Sequence, residues 1–477
     1  MHFTIDRLCG LALGLIACAW LSCKKLVQIN APTNSITTSQ IFADSLDATS
    51  ALSGVYNQLI ATGSSVQFGD GLITLYGGLS ADELLDLSLQ YQDLDYNILK
   101  APDGIPDQLW ENAYTYLYPI NSCIQSIQTS TGISAAAKNQ LTGEAEFLRA
   151  LCYFYLVNLY GDVPLILGTS YAVNDLAVRT PSAQVYQQIV TDLKAAQSNL
   201  KADYSISGGQ RTRANQAAAT ALLARVYLYT GDWADAAAQA SAVIANPAYS
   251  LLSDLNTVFL ANSNEAILQW QLSGLQSPYN ATPEGTQLLP GAPGYPPLFY
   301  LNSGLTGAFE PGDLRWASWV DSALWNGTNY YYAYKYKLGY GQFSPGAPLT
   351  EYYMVLRLAE QYLIRAEAEA NGANGGDAAA IADLNILRAR AGLTALPGTL
   401  TAPQVTAAVA QERRIELFAE WGHRWFDLKR TKQIDAVMTV ATPLKGGNTQ
   451  WASYQQLYPV PLYEIKTDPN LTQNPQY

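Results

Sequence analysis

ALLARVYLYTGDWADAAAQASAVI, residues 221–244, decides the fold. Small Ala residues recur at helical spacing where two helices must approach closely. Tyr227 supplies bulk between them, and Gly231-Asp232 makes a tight turn. Helix, turn, helix, with small and large residues alternating at the contact, is the logic of a tetratricopeptide repeat. LRLAEQYLIRAEAEANGANGGDAAAIADLNILRARAGL, residues 356–393, repeats it with a turn loosened by Asn371-Gly372 and Gly375-Gly376.

Outward from these, helical periodicity comes in pairs. Ala48–Ile60 goes with Gln108–Gln128, Ala136–Tyr160 with Ser182–Leu200, Asn215–Thr230 with Asp232–Ala245, and Tyr353–Ala370 with Gly376–Ala391. A ninth helix covers Ala402–Ala419. The expected class is mainly α: an α-α superhelix of four tetratricopeptide-like helix pairs carrying long irregular insertions with short strands. The scaffold is read at about 40–62, 107–247 and 351–432, and the insertions at about 63–106 and 248–350, within one domain spanning 23–477. Loops this long inside a compact protein are usually functional.

At 477 residues and 49% hydrophobic content the chain buries a large core. Its net charge of −12 argues against nucleic acid, since phosphate binding needs a basic face. With 32 Tyr, 10 Trp and only 27 Lys and Arg, the composition suits neutral, hydroxyl-rich ligands.

The N-terminus reads as a processing segment, residues 1–22. A polar stretch ends at Arg7, and the apolar run Leu8–Leu21 falls short of the ~20 residues that span a bilayer. Two cysteines end candidate lipoprotein boxes, Leu15-Ile16-Ala17-Cys18 and Trp20-Leu21-Ser22-Cys23. Beyond them only Cys123 and Cys152 remain. They stand on consecutive predicted helices at heights differing by roughly 13 Å, too far for a bridge, and read as buried thiols.

From Tyr295 to Phe343 there are fourteen aromatics, far above the 11% of the whole chain. Sugar rings stack an apolar C–H face on aromatic planes, and their hydroxyls take hydrogen bonds from Tyr, Asn and Gln. The candidate ligand contacts are Trp316, Trp319, Trp325, Asn326, Tyr330 and Tyr331, with Tyr91 and Tyr96 from the polar-aromatic cluster of the first insertion. Asn329 and Gln342 add amides. Tyr330, Tyr332, Tyr334 and Tyr336 also alternate as a half-buried strand would, so most of these Tyr are expected to pack and a minority to touch ligand.

The catalytic survey is empty. His423 is the only His past the first segment, and it reads as structural. There is no HExxH, GxSxG, Walker loop or dinucleotide fingerprint, and no Cys–His set for a metal. Glu412 and Glu416 read as helix spacing beside Arg413 and Arg414. No catalytic residue, metal or cofactor is assigned.

RRIELFAEWGHRWFDLKRT, residues 413–431, interleaves charges with large aromatics and resembles the signature of the SusD/RagB family of outer-membrane nutrient-binding lipoproteins. GEAEFLRALCYFYLVNLYGDVPLIL (143–167), LWENAYTYLYPINSCI (109–124), RTPSAQVYQQIVTDLKAAQSNL (179–200), Asp313-Leu314-Arg315 and the terminal YPVPLYEIKTDPNLTQNPQY (458–477) are similar to further family blocks. Residues 282–350 match least.

The resemblance implies a protein lipid-anchored at the cell surface, in the outer membrane. It would sit as a lid on a TonB-dependent transporter of the SusC type and deliver glycan into it, without catalysis. KKLVQINAP after Cys23 looks like the family's mature start, which makes Cys23 the expected lipid site. Three rivals are a peptide-binding member of the family, a structural scaffold, and a surface glycosidase with two carboxylates about 5–10 Å apart in a cleft. Glu420, Arg424 and Asp427 of the signature are expected to hold the last helices together.

Overall fold

A computed structural model describes residues 41–60, 67–275 and 277–477. The segment 1–22 and the candidate lipid sites Cys18 and Cys23 lie outside the described residues.

The pair that decides the fold forms as its residues dictate. Helix α6 (Gln216–Thr230) starts where the Asn215 side chain accepts from the Ala218 amide at 2.9 Å. It ends at Gly231, whose left-handed backbone lets the Asp232 N–H donate to the Tyr227 carbonyl. Helix α7 (Trp233–Ile244) then folds back, with Ala218, Ala221, Ala236 and Ala240 buried.

The remaining scaffold is α1 (Ser45–Leu59), α3 (Gly104–Thr129), α4 (Ala135–Tyr160), α5 (Ser182–Asn199), α8 (Leu358–Ala370), α9 (Gly376–Arg390) and α10 (Ala402–Glu416). Each packs on its neighbours along the chain, and α7 carries the stack on to α8 across the second insertion. The fold is the mainly α, tetratricopeptide-like superhelix. Cys123 and Cys152 are buried free thiols on α3 and α4.

Two-toothed arginine–carboxylate pairs pin the stack. Arg149 on α4 holds Asp192 on α5 at 2.7 and 2.8 Å, and Arg225 on α6 holds Glu360 on α8 with both contacts at 2.6 Å. Arg365 on α8 holds Asp383 on α9. A guanidinium fork matches a carboxylate in two parallel bonds, so each pair fixes register as well as contact.

Two expectations change. Tyr353–Arg357 is a strand, β8, and not the first turn of α8. It pairs antiparallel with β4 (Ala266–Trp270), and both strands are buried at every residue. A continuous apolar run has no period to separate strand from helix. The helix read as 402–419 stops at Glu416, where the backbone turns so that Ala419, Trp421 and Gly422 take positive φ. The first insertion contributes a helix, α2 (Ile73–Ser80), that is wholly buried. A Cβ on Gly77 of α2 would stand 2.6 Å from the Cα of Gly422, so the two backbones touch.

Strand β1 (Leu84–Asp86) follows α2 and pairs antiparallel with β5 (Phe299–Leu301), joining the two insertions. Between α4 and α5 lie the two-residue strands β2 (Val163–Pro164) and β3 (Arg179–Thr180). The aromatic segment forms a hairpin, β6 (Val320–Trp325) and β7 (Thr328–Ala333). Asn326 and Gly327 at its tip both have positive φ, as a two-residue primed turn demands.

Candidate functional site

The hairpin register sorts the aromatic candidates onto two faces. Pairs Trp325↔Thr328, Ala323↔Tyr330 and Asp321↔Tyr332 share one face, while Leu324↔Asn329 and Ser322↔Tyr331 share the other.

On the first face Trp325 stacks on Tyr295, with centroids 5.4 Å apart and planes at 22°. Tyr330 meets Tyr300 edge-on at 5.1 Å. Tyr295 is 58% exposed, and Trp325, Tyr300 and Tyr330 are half-buried. Burial, then the Asp95 carboxylate, Tyr330 and Tyr96, push the Tyr300 hydroxyl above its ordinary pKa. Tyr96 of the first insertion therefore belongs to this neighbourhood, beside Tyr300. Asp95 is itself buried, which pushes its carboxyl up to about 6 against the pull of Lys445. One of its oxygens accepts the Asp86 N–H at 3.1 Å, and the other has no partner among the described residues. The exposed Asn326 places an amide at the tip next to Trp325.

The other candidates lie away from this face. Trp319 is fully buried and has no surface to offer a ligand. Its indole N–H donates to the Leu255 carbonyl at 3.0 Å, and the Lys335 ammonium lies 4.8 Å from its ring centroid. It caps the buried ions described below, and nothing in its spacing from Trp316 and Trp325 reveals that. Trp316 and Tyr331 are half-buried on the second face, 5.1 Å apart, with Trp316 edge-on to Phe309. Phe309 in turn meets Phe418 of the signature. Tyr91 is held between Tyr76 and Phe299, at 5.4 and 5.8 Å. Tyr295 and Tyr300 are the residues that sequence reading passed over; Tyr300 lies on β5, which packs against β7 of the hairpin.

The signature stretch is buried chemistry of another kind. Arg357, at the end of β8, reaches Glu420 at 2.8 Å, Glu416 at 2.6 Å and Glu265 at 3.0 Å. Glu416 also meets Arg315 and Arg390, and Arg315 holds Asp313 and Glu412. Burial alone would raise the Glu416 pKa, but Arg390, Arg357 and Arg315 outweigh it and hold the carboxyl well below its ordinary range. Glu412 and Glu416 are thus tertiary ligands of distant arginines, not merely helix spacing. Glu420 bonds Arg357 and Lys335, tying the signature to the second insertion. Helix α11 (His423–Arg430) carries Arg424, which grips Asp82 of the first insertion at 2.6 and 2.9 Å, and Asp427, which takes Arg413 of α10. His423 is buried and held neutral, its pKa pushed down to about 4 by burial.

A cavity of about 860 Å³ lies beside this stretch, lined by Trp233, Glu367, Arg413, Arg424 and Asp427 among others. Its charges are largely spent on one another.

The comparisons with known proteins fall in line with this architecture. The SusD family model matches residues 277–477, and a second model, described as starch-binding associating with outer membrane, matches residues 78–228. The chain belongs to the SusD/RagB family. The starch-binding protein SusD of Bacteroides thetaiotaomicron is 27% identical over 74% of this chain and 75% of its own. SusD-like protein P2 of Formosa agariphila is 26% identical over 93% of this chain and 94% of its own. Among solved structures, a laminarin-binding SusD-like protein is 26% identical, with a TM-score of 0.73 over 91% of this chain and 99% of its own.

Proposed function

We propose that the protein is a non-catalytic, cell-surface glycan-binding lipoprotein that captures oligo- or polysaccharide and hands it to a TonB-dependent transporter of the SusC type. The observation that carries the reading is the exposed aromatic face of the hairpin. Trp325 stacked on Tyr295 offers an apolar platform at the tip; Tyr330 shares its hairpin face and meets Tyr300, with Tyr96 nearby. A pyranose ring laid on the platform would present its hydroxyls to these Tyr and to the Asn326 amide. The starch- and laminarin-binding relatives support the ligand class. The family description supports association with the outer membrane, and a lipid on Cys23 would provide the anchor. No helix among the described residues is long and apolar enough to cross a membrane.

Isothermal titration against a panel of neutral polysaccharides, with peptide digests as a parallel arm, tests the reading. Binding of at least one glycan that Trp325→Ala abolishes or weakens is expected. Binding confined to peptides would replace it with the peptide-binding reading, and release of reducing sugar from any panel member would overturn the absence of catalysis.

A further inference from the structure

The second insertion carries another stack of aromatic rings outside the hairpin. Tyr279 and Phe343 lie ring over ring, with centroids 5.8 Å apart and planes at 30°. Tyr340 meets Phe343 edge-on at 5.5 Å. All three are half-buried, and Gln342 beside them is exposed. Hydroxyl use separates these tyrosines from packed ones. Tyr332 donates to Asp321 at 2.9 Å, Tyr352 donates to Gln210 at 2.9 Å, and Tyr336 accepts the Met354 N–H at 2.8 Å. The hydroxyls of Tyr279 and Tyr340 have no partner among the described residues, which is also true of Tyr295, Tyr300 and Tyr330 at the hairpin. Backbone contacts fix the stack. The Ser344 N–H donates to Asn280 Oδ1 at 2.7 Å, and Phe343 and Tyr279 are the residues just before these two. The Gln342 and Phe343 N–H groups both donate to the Gly339 carbonyl at 3.0 Å. Tyr279 holds a left-handed backbone, φ 55°, which a bulky residue keeps only where its surroundings impose it.

An open strip joins this stack to the hairpin platform. A Cβ on Gly341 would stand 4.0 Å from the Ala292 Cα. The Tyr295 N–H donates to the Ala292 carbonyl at 3.2 Å, closing a turn. Tyr340 and Tyr295 therefore lie within about 17 Å of each other, Cα to Cα. Gly291, Pro293 and Gly294 are exposed along this path, and a Cβ on either glycine would meet nothing within 4 Å. The strip is also uncharged. Glu284 is the only charged residue from Ala266 to Phe309, and it is buried; none occurs from Leu338 to Thr350.

We propose that Tyr279, Tyr340 and Phe343 form a second sugar-stacking subsite, and that the ligand is an extended neutral glycan reaching it from the hairpin platform. The proposal rests on the reading of Trp325 and Tyr295 as the first subsite. The apolar face of a sugar stacks on the rings, and its hydroxyls bond the free hydroxyls of Tyr279 and Tyr340. Gln342 Oε1 is taken by the Gly339 N–H at 3.1 Å, which leaves the exposed NH2 group as a further donor. Once one end of the chain is held on Trp325, contact at the second subsite is intramolecular, so affinity rises with chain length.

The test is titration calorimetry on the full chain with size-graded oligosaccharides of laminarin, amylose, mannan and xylan, from the disaccharide upward. In at least one series the longer chains should bind about two- to twelvefold more tightly than the short ones. Tyr340→Ala with Phe343→Ala should remove that gain and leave short-chain affinity unchanged. Trp325→Ala should weaken short and long chains alike. Tyr279→Phe with Tyr340→Phe deletes only two free hydroxyls. It should keep the melting temperature and lose part of the gain, which separates lost binding from lost folding. A length gain that survives in both double variants reflects repeated equivalent sites along the chain and overturns the second subsite. Short chains that bind Trp325→Ala at full affinity overturn the first subsite instead, and with it a ligand shared between the two. Absence of binding in every series overturns both readings.

Discussion

The hairpin face and the signature stretch are both rich in aromatic rings, yet the rings do opposite work. Around Arg357 the rings of Trp319 and Phe259 cover a cluster of buried ions and exclude water from it. At the hairpin tip Trp325 and Tyr295 stack on each other, the first half-buried and the second exposed to solvent. The difference shows why the most recognisable stretch is not the proposed binding surface. A buried ion cluster tolerates little change, because removing one member strands the others. A stacking platform needs only a flat ring and a hydroxyl, which many sequences provide.

The largest expected effect lies in the ion cluster. Arg357→Ala leaves Glu265, Glu416 and Glu420 facing one another with Arg315, Arg390 and Lys335 as the remaining cations. Breaking a buried network from one side costs about 3–5 kcal/mol. Urea unfolding should show that loss, while glycan selectivity of the folded protein stays unchanged. Altered selectivity at full folding would mean that the two regions are coupled.

Next comes a pair of opposed pH dependences. Burial pushes His423 down to about 4, and Glu360, against burial, is held at about 2 by Arg225 and His423. Both folded values lie below the unfolded ones. Their contribution is whole above about pH 6.5, begins to fade as His423 charges, and is lost as pH falls on through 4.5 toward 2. Asp95 has the reverse sign. Burial raises it to about 6, so its contribution is whole below about pH 4 and lost as pH rises through 6. Asp95→Asn should therefore raise stability at pH 8 by on the order of 1–3 kcal/mol and change nothing at pH 4. Thermal melts at the two pH values check this, and equal effects at both would remove the buried charge as the cause.

The helical scaffold was legible in the sequence because its signals are local. Asn215, Gly231 and the buried Ala residues fix α6 and α7 to within about two residues of the expected bounds. Tyr353–Arg357 was misread because a run buried on both faces carries no period. The candidate site was legible only in part. Composition located the aromatic segment, but which side of β6 and β7 faces out depends on register. That register, together with the packing of β5 on β7, brings Tyr300 to Tyr330 and leaves Trp325 to meet Tyr295, while Trp319, just before β6, is buried. Glu412 and Glu416 looked like helix decoration because their partners, Arg315, Arg357 and Arg390, are distant in sequence.

At the platform, Trp325→Ala removes one of two stacked rings and leaves Tyr295. An aromatic contact of this kind is worth about 0.5–1.5 kcal/mol, so glycan affinity should fall by about two- to twelvefold. The ring is half-exposed at a hairpin tip, so the melting temperature should hold. Tyr295→Ala with Trp325→Ala should weaken binding further. Full affinity in the double variant, read by titration calorimetry, would move the site elsewhere.

The smallest effect sharpens the contrast most. A platform of Trp, Tyr and Asn meets a neutral sugar through stacking and hydrogen bonds, and none of these is screened by salt. Raising sodium chloride tenfold should leave the glycan dissociation constant within about twofold. The ion cluster also resists salt, but for a different reason: Glu416 and Arg357 are buried beyond the reach of counterions. Asp82 with Arg414 and Arg424 forms a separate, less covered group. In Arg424→Ala, Asp82 keeps only Arg414, whose side chain is 18% exposed. Salt should then lower the melting temperature of that variant, while its glycan affinity stays flat. A salt-dependent affinity in the unaltered protein would instead place a charged group of the ligand against Asp95 or another ion, and the neutral platform would no longer be the whole of the site.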